Sequence, residues 1–285
     1  INNVRARINT GGDMWWDLMD VAEYEIPKGS GKTSMFSASL WIGGVDVNDQ
    51  LKLAAVRYRQ IGNDYWPGPL TVDGTAAVSA DVCDEWDRHF KITRAEVAEF
   101  LSHVDDATGQ FIPTDDYTAP PTIIQEWPAH GDQTKGQSEF IAPFYDRNGD
   151  DYYDWQDGDY PYFDFDRSNS LCRADLPTLE SVYGISQGGI LADQVLKGDQ
   201  NLWWVFNDKG NIHSETQGEP IGLEIRAQAF SFSTNDEIND MTFYSYEIIN
   251  RSTFRLEGTY FSQWVDTDLG FARDDYVGCD VERGL

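Results

Sequence analysis

Basic residues are scarce in this chain of 285 residues: 21 Lys and Arg stand against 49 Asp and Glu, a formal net charge of −28. That balance excludes nucleic acid as a partner, because phosphates need a cationic surface and this one repels them. Long apolar runs are missing as well. No stretch approaches the ~18 to 20 consecutive apolar residues of a membrane-spanning helix, so no membrane span is expected. Residue 1 is Ile with no basic and apolar leader behind it, and Val281-Glu282-Arg283-Gly284-Leu285 carries no tail signal. The ends read as those of an internal or processed fragment.

Cysteine and histidine are sparse. Cys83, Cys172 and Cys279 lie too far apart for a C-x-x-C metal or redox motif. In a secreted fragment an odd count fits one bridge, Cys83 with Cys172, plus one cysteine paired elsewhere; three buried free thiols are the competing reading. The four His, at 89, 103, 130 and 213, have no zinc-ligand spacing.

Aromatic rings are abundant, with 10 Trp, 14 Tyr and 15 Phe, and such large rigid side chains favour sheets and the packed faces between them. The expected fold is mainly β: an antiparallel β-sandwich with long Asp-rich loops and one short helix near 94–103. Residues 34–43 alternate as a strand, Gly43-Gly44 and the Asp and Asn residues after them turn the chain, and 51–58 return it as a hairpin. Thr93-Arg94-Ala95-Glu96 matches a capping box, after which Val97, Phe100, Leu101 and Val104 fall on one helical face. Residues 105–121 and 146–166 have no hydrophobic period and read as long loops, the second far more acidic. Strands over 222–233, 241–250 and 259–265 predict a meander in one sheet. The organisation is a β-rich part over 1–140, an acidic loop and insertion over 141–197, and the meander over 198–285, either as separate parts or as one continuous domain.

The strongest motif begins at Asp146. Asp146, Asn148, Asp150, Asp154 and Asp157 occupy positions 1, 3, 5, 9 and 12 of a loop, with the Tyr152 carbonyl at position 7. This spacing wraps a chain around one Ca2+ ion, which takes six to eight oxygens. Asp151 stands where an EF-hand has its Gly and Asp157 where it has Glu, and the flanks are not helical. A structural calcium loop is therefore expected, against the alternative of a solvated acidic loop. A second candidate joins Asp266 and Asp268, leaving a strand two residues apart, with Asp274 and Asp275 from the returning loop. Such crowded carboxylates call for a cation, or form an acid pair of the glycosidase kind.

Three weaker signals compete. Gly184-Ile185-Ser186-Gln187-Gly188 matches G-x-S-x-G, but only His213 follows it and the alternating strands and helices of an esterase are missing. Gly29-Ser30-Gly31-Lys32-Thr33 ends like a phosphate loop, yet Ile26 stands where the first Gly belongs, so a turn is expected. Trp15-Trp16, Trp41, Trp66, Trp127 and Trp203-Trp204 form a sugar-stacking platform if exposed together and a core if buried.

Several segments carry a resemblance: residues 198–213 (GDQNLWWVFNDKGNIH), 219–224 (EPIGLE), Asn235-Asp236-Glu237, Asn250-Arg251-Ser252, Gln263-Trp264-Val265-Asp266, Gly278-Cys279-Asp280 and Gly158-Asp159-Tyr160-Pro161 after the acidic loop. Together they resemble the amino-terminal regions of large secreted proteins of the Bacteroidota that use the type 9 secretion system. Against that pattern, residues 164–194 read as an insertion. The resemblance implies an extracellular or outer cell-surface location and contact with the type 9 machinery during export. It implies no reaction. The function expected is a non-enzymatic, calcium-stabilised structural or adhesive component that meets other surface or appendage subunits. The alternative is a glycan-binding or glycan-hydrolysing module using exposed Trp and Asp pairs.

Overall fold

The computed structural model describes residues 1–59, 61–163, 196–271, 273–276, 278 and 281–283. The chain is mainly β, and the ladders between its described strands are antiparallel. Three short strands, β1 (Arg5–Ala6), β2 (Asp13–Met14) and β3 (Tyr24–Glu25), lead into the long β4 (Thr33–Val45), which β5 (Leu51–Ala54) follows. The expected hairpin is present, with Ile42 paired to Ala54 and Val45 to Leu51. Residues 27–32 turn the chain between β3 and β4 through Gly29 and Gly31 at positive φ, so the phosphate-loop look-alike is a β-turn.

Next come β6 (Trp66–Pro67), helix α1 (Ala80–Trp86), β7 (Phe90–Thr93) and helix α2 (Arg94–Ser102). The Thr93 hydroxyl accepts the Glu96 N–H at 3.2 Å while the Glu96 carboxylate accepts the Thr93 N–H at 2.8 Å, so α2 starts on the expected capping box. Its Val97 and Phe100 are buried. Two helices were not expected: α1, of 7 residues, and α3 (Thr122–Gln125), of 4 residues, both too short to print a clear 3.6 period.

The chain continues with β8 (Phe144–Tyr145), β9 (Tyr160–Pro161), β10 (Gln200–Asn207), β11 (Leu223–Ser231), β12 (Phe243–Asn250) and β13 (Glu257–Thr267). One sheet runs β1-β3-β4-β13, with β2 and β5 also on β4; the other runs β12-β11-β10-β6, with β7 also on β10. The predicted meander is thus corrected: β11 and β12 are neighbours, but β13 leaves them and pairs with β4. Two-residue alternation names a strand's faces and not its partner. Here β13 forms a ladder with β4 from Glu257 opposite Val45 to Thr267 opposite Met35, and the Trp264 ring stacks on Trp41 at 5.6 Å across it.

Leu40 and Ile42 of β4 pack with Trp204, Phe206, Ile225 and Ala227 of β10 and β11, so the two sheets share a core. This is consistent with the expected sandwich. Strand β10, however, is apolar on both faces. Its Trp203 and Val205 point the other way, into a second core built with Val82 and Trp86 of α1, Val97 and Phe100 of α2, Ile124 of α3, and Phe144, Tyr153 and Tyr160 around the acidic loop. The candidate calcium loop is therefore anchored on the helical side of the second sheet.

Cys83, half-buried on α1, is a free thiol, against its expected bridge to Cys172. Cys172, Cys279 and the Ser186 motif lie outside the described residues.

Candidate metal centre

Strands β8 and β9 pair Phe144 with Pro161 and Tyr145 with Tyr160, which brings the two ends of the acidic loop together. Between them the carboxylates do two different jobs. Asp146 accepts the Gly149 N–H at 2.6 Å and the Asp151 N–H at 2.8 Å, folding the first half of the loop around itself. Asp154 accepts the Gln156 N–H at 2.9 Å and caps a single 3-10 turn over Trp155–Asp157. These two hold backbone.

Asn148, Asp150 and Asp157 also converge on one another, while Asn148 Oδ1 accepts the Asp150 N–H at 3.0 Å. The Asn148 amide nitrogen lies 3.1 Å from Asp150 Oδ2 and 3.3 Å from Asp157 Oδ2, so positions 3, 5 and 12 meet across the loop. Asp150 also accepts the Tyr152 N–H at 2.8 Å, which fixes the peptide preceding position 7. Among the described residues no three His, Cys, Asp or Glu side chains lie close enough to hold a metal by themselves. Ca2+ does not require that: it takes amide and backbone oxygens beside carboxylates. Two carboxylates, the Asn148 amide turned to present its oxygen, the Tyr152 carbonyl and water fit such an ion chemically.

Several supporting groups escape a spacing argument. Asp159, fully buried two residues after the motif, accepts the Arg147 N–H at 2.8 Å and the Asp154 N–H at 2.9 Å and so ties both halves of the loop. Burial raises its pKa to about 6, and the nearby charges of Asp146 and Asp150 push the same way. His130 accepts the Tyr153 N–H at 2.9 Å while its ring stacks on Tyr152. Gln110 donates to Asp157 at 2.6 Å. A Cβ on Gly158 would stand 2.3 Å from the Gly109 carbonyl oxygen, so only glycine permits the 109 loop to lie against this one. The one signal in the sequence is the run Gly158-Asp159-Tyr160-Pro161. The contacts from Gln110 and His130 come from far along the chain and leave no local pattern.

At the second candidate, Tyr58 donates a short hydrogen bond to Asp266, and the Tyr58 pKa is raised by burial and by that carboxylate. The Asp268 pKa is raised by burial first, then by the charges of Asp266 and Asp275. Asp266 and Asp275 thus act on Asp268 electrostatically, but among the described residues these carboxylates form no group that could hold a metal ion by itself. Asp275 Oδ2 is buried without a hydrogen-bond partner among the described residues. Asp274 is exposed, its N–H bonded to the Phe271 carbonyl, and it is not among the charges acting on Asp268.

None of the ten Trp is exposed, and the seven of the suggested platform are buried or half-buried, so no open stacking surface is presented. Among the described residues, cavities of about 210 and 220 Å³ lie elsewhere, the first beside Val4, Leu202 and Tyr244 and the second beside Thr71, Lys135 and Gln137. Neither is lined by a candidate aspartate. The chain matches no family model, no curated protein and no solved structure.

Proposed function

We propose that this chain is a calcium-stabilised, extracellular structural or adhesive component of a bacterial cell surface or appendage, assembling with other subunits. The observation that carries the calcium reading is the convergence of Asn148, Asp150 and Asp157 in a loop whose backbone Asp146, Asp154 and Asp159 hold. In that reading Asp150 and Asp157 supply the charge, Asn148 and the Tyr152 carbonyl supply neutral oxygens, and Asp146 and Asp154 turn an oxygen inward as the loop closes on the ion. The role is structural. An ion here ties loop 146–157 to the helical core through Tyr153 and Tyr160, which are both buried.

Location at the cell surface, export through the type 9 system and assembly with other subunits rest on the resemblance read from the sequence. The burial of the Trp residues speaks against the glycan-platform alternative. The test is thermal unfolding in 5 mM calcium and in excess chelator, where, at [L] of about 100 times Kd, binding to the native state alone adds about 2.7 kcal/mol. Asp150→Asn combined with Asp157→Asn should abolish the difference. Identical melting curves with calcium and with chelator would overturn the calcium reading.

A further inference from the structure

Strand β13 is the outermost strand of the first sheet, and among the described residues it pairs with β4 alone. Its register sets Phe261 opposite Ile42 and Val265 opposite Ala38, and residues directly opposite in an antiparallel pair share a face. Ile42 and Ala38 are buried at 1% and 0% exposure, yet Phe261 and Val265 are 58% and 37% exposed. The face that is core on β4 is bare on β13. On the other face Tyr260 is 79% exposed.

Natural edge strands are blunted by Lys, by Pro, by brevity or by a cover. β13 runs for 11 residues, EGTYFSQWVDT, with no Lys, Arg or Pro. Its end is acidic: Asp266, Asp268, Asp274 and Asp275 fall within residues 266–275, Asp274 is exposed, and Asp275 Oδ2 lacks a hydrogen-bond partner among the described residues. Over residues 266–276 only Arg273 opposes these four acids.

We infer that β13 is a docking edge that takes an extended strand from a separate, basic polypeptide, whose apolar side chains cover Phe261 and Val265 and whose Lys or Arg meets the acidic residues Asp266, Asp268 and Asp275. Backbone hydrogen bonds supply the pairing and alternate side chains the selectivity. Charge decides against a second copy as the occupant, since two chains that each carry a net charge of −28 repel one another, whereas a basic strand is attracted. The inference deepens the assembly part of the proposed function and rests on that part alone. It does not need calcium at the Asp146 loop.

The experiment titrates a labelled peptide of 11 residues alternating valine with lysine, matched to β13 in length. Its controls are a valine–glutamate twin and a twin N-methylated along one edge. Binding is read by fluorescence anisotropy in chelator, so that loss of the calcium reading leaves this result interpretable, and hydrogen exchange reports the β13 amides. The Val–Lys peptide should bind and slow exchange at Tyr260–Val265, while Phe261→Lys and, on the opposite face, Tyr260→Lys should each weaken binding by roughly tenfold or more. Circular dichroism melts identify whichever variant keeps the fold, and that variant is scored. Equal binding of the N-methylated twin would show charge attraction without strand pairing and overturn the inference. So would unchanged exchange in β13, or a dimer of the free chain in sedimentation that Phe261→Lys dissociates.

Discussion

At the scale of single residues, Asp151 carries a cost that its position explains. It adopts a φ of +66°, the left-handed conformation that glycine takes at the sixth position of a calcium loop. A Cβ in that region clashes with the backbone, and Asp is only partly exempt. Asp151→Gly should therefore raise stability by about 0.5 to 1 kcal/mol, the strain relieved less the entropy of glycine. Urea unfolding of the variant beside the parent chain checks the sign. His89 offers a second prediction. Burial lowers its pKa to about 4, and Nε2 has no hydrogen-bond partner among the described residues while the ring meets Trp204 edge-on. The unfolded chain binds that proton near pH 6.5 and the folded one near 4, so stability is intact above 6.5 and lost as pH falls between the two. Allowing for partial exposure, the loss amounts to roughly 2 to 3 kcal/mol below pH 4. His89→Phe keeps the ring contact, and its melting temperature should exceed the parent's at pH 4.5 while matching it within ~2 °C at pH 7.5.

At the scale of elements, the parts legible in the sequence are those made by neighbours along the chain. Helix α2 was visible because Thr93 and Glu96 satisfy each other's backbone donors within one turn, and the 34–58 hairpin because Gly and Asn signals separate two alternating runs. Thr93→Ala removes one side of that box and should cost about 1 kcal/mol, read as a melting temperature lower by about 2 to 4 °C. Loop 146–157 was half legible. Its spacing picked out Asn148, Asp150 and Asp157, whose side chains meet across the loop, but it could not show that Asp146 holds the Gly149 and Asp151 N–H groups and Asp154 that of Gln156. Nor could it find Asp159, which matters because it is buried, a property that no spacing records.

At the scale of the whole molecule, the acid excess is divided between two Asp-rich segments and the rest of the chain. Charges of one sign repel through solvent over about 8 to 10 Å at ordinary ionic strength, so the folded state of a chain carrying −28 is under electrostatic strain. Raising NaCl from 20 mM to 300 mM, in chelator so that no divalent ion contributes, should raise the melting temperature by several degrees. A flat response would place the repulsion in the unfolded chain as much as in the folded one. The three layers meet at β10: Trp204 and Phe206 face the first sheet, and Trp203 and Val205 face the helices.

By itself the sequence determined the β-rich composition, the unfavourable charge for nucleic acid, the α2 cap, the hairpin and the spacing of the calcium candidate, since each follows from residue type or from contacts within about a dozen positions. Only the tertiary structure decided that β13 crosses to pair with β4, that β10 is covered on both faces, that Cys83 is a free thiol, and that Asp159, His130 and Gln110 brace the acidic loop. Apart from Asp159, whose partners Asp154 and Arg147 are 5 and 12 positions away and whose role rests on its burial, the contacts among these join residues from about 20 to more than 200 positions apart. A periodic pattern says which face of a strand is apolar and leaves open what will cover it.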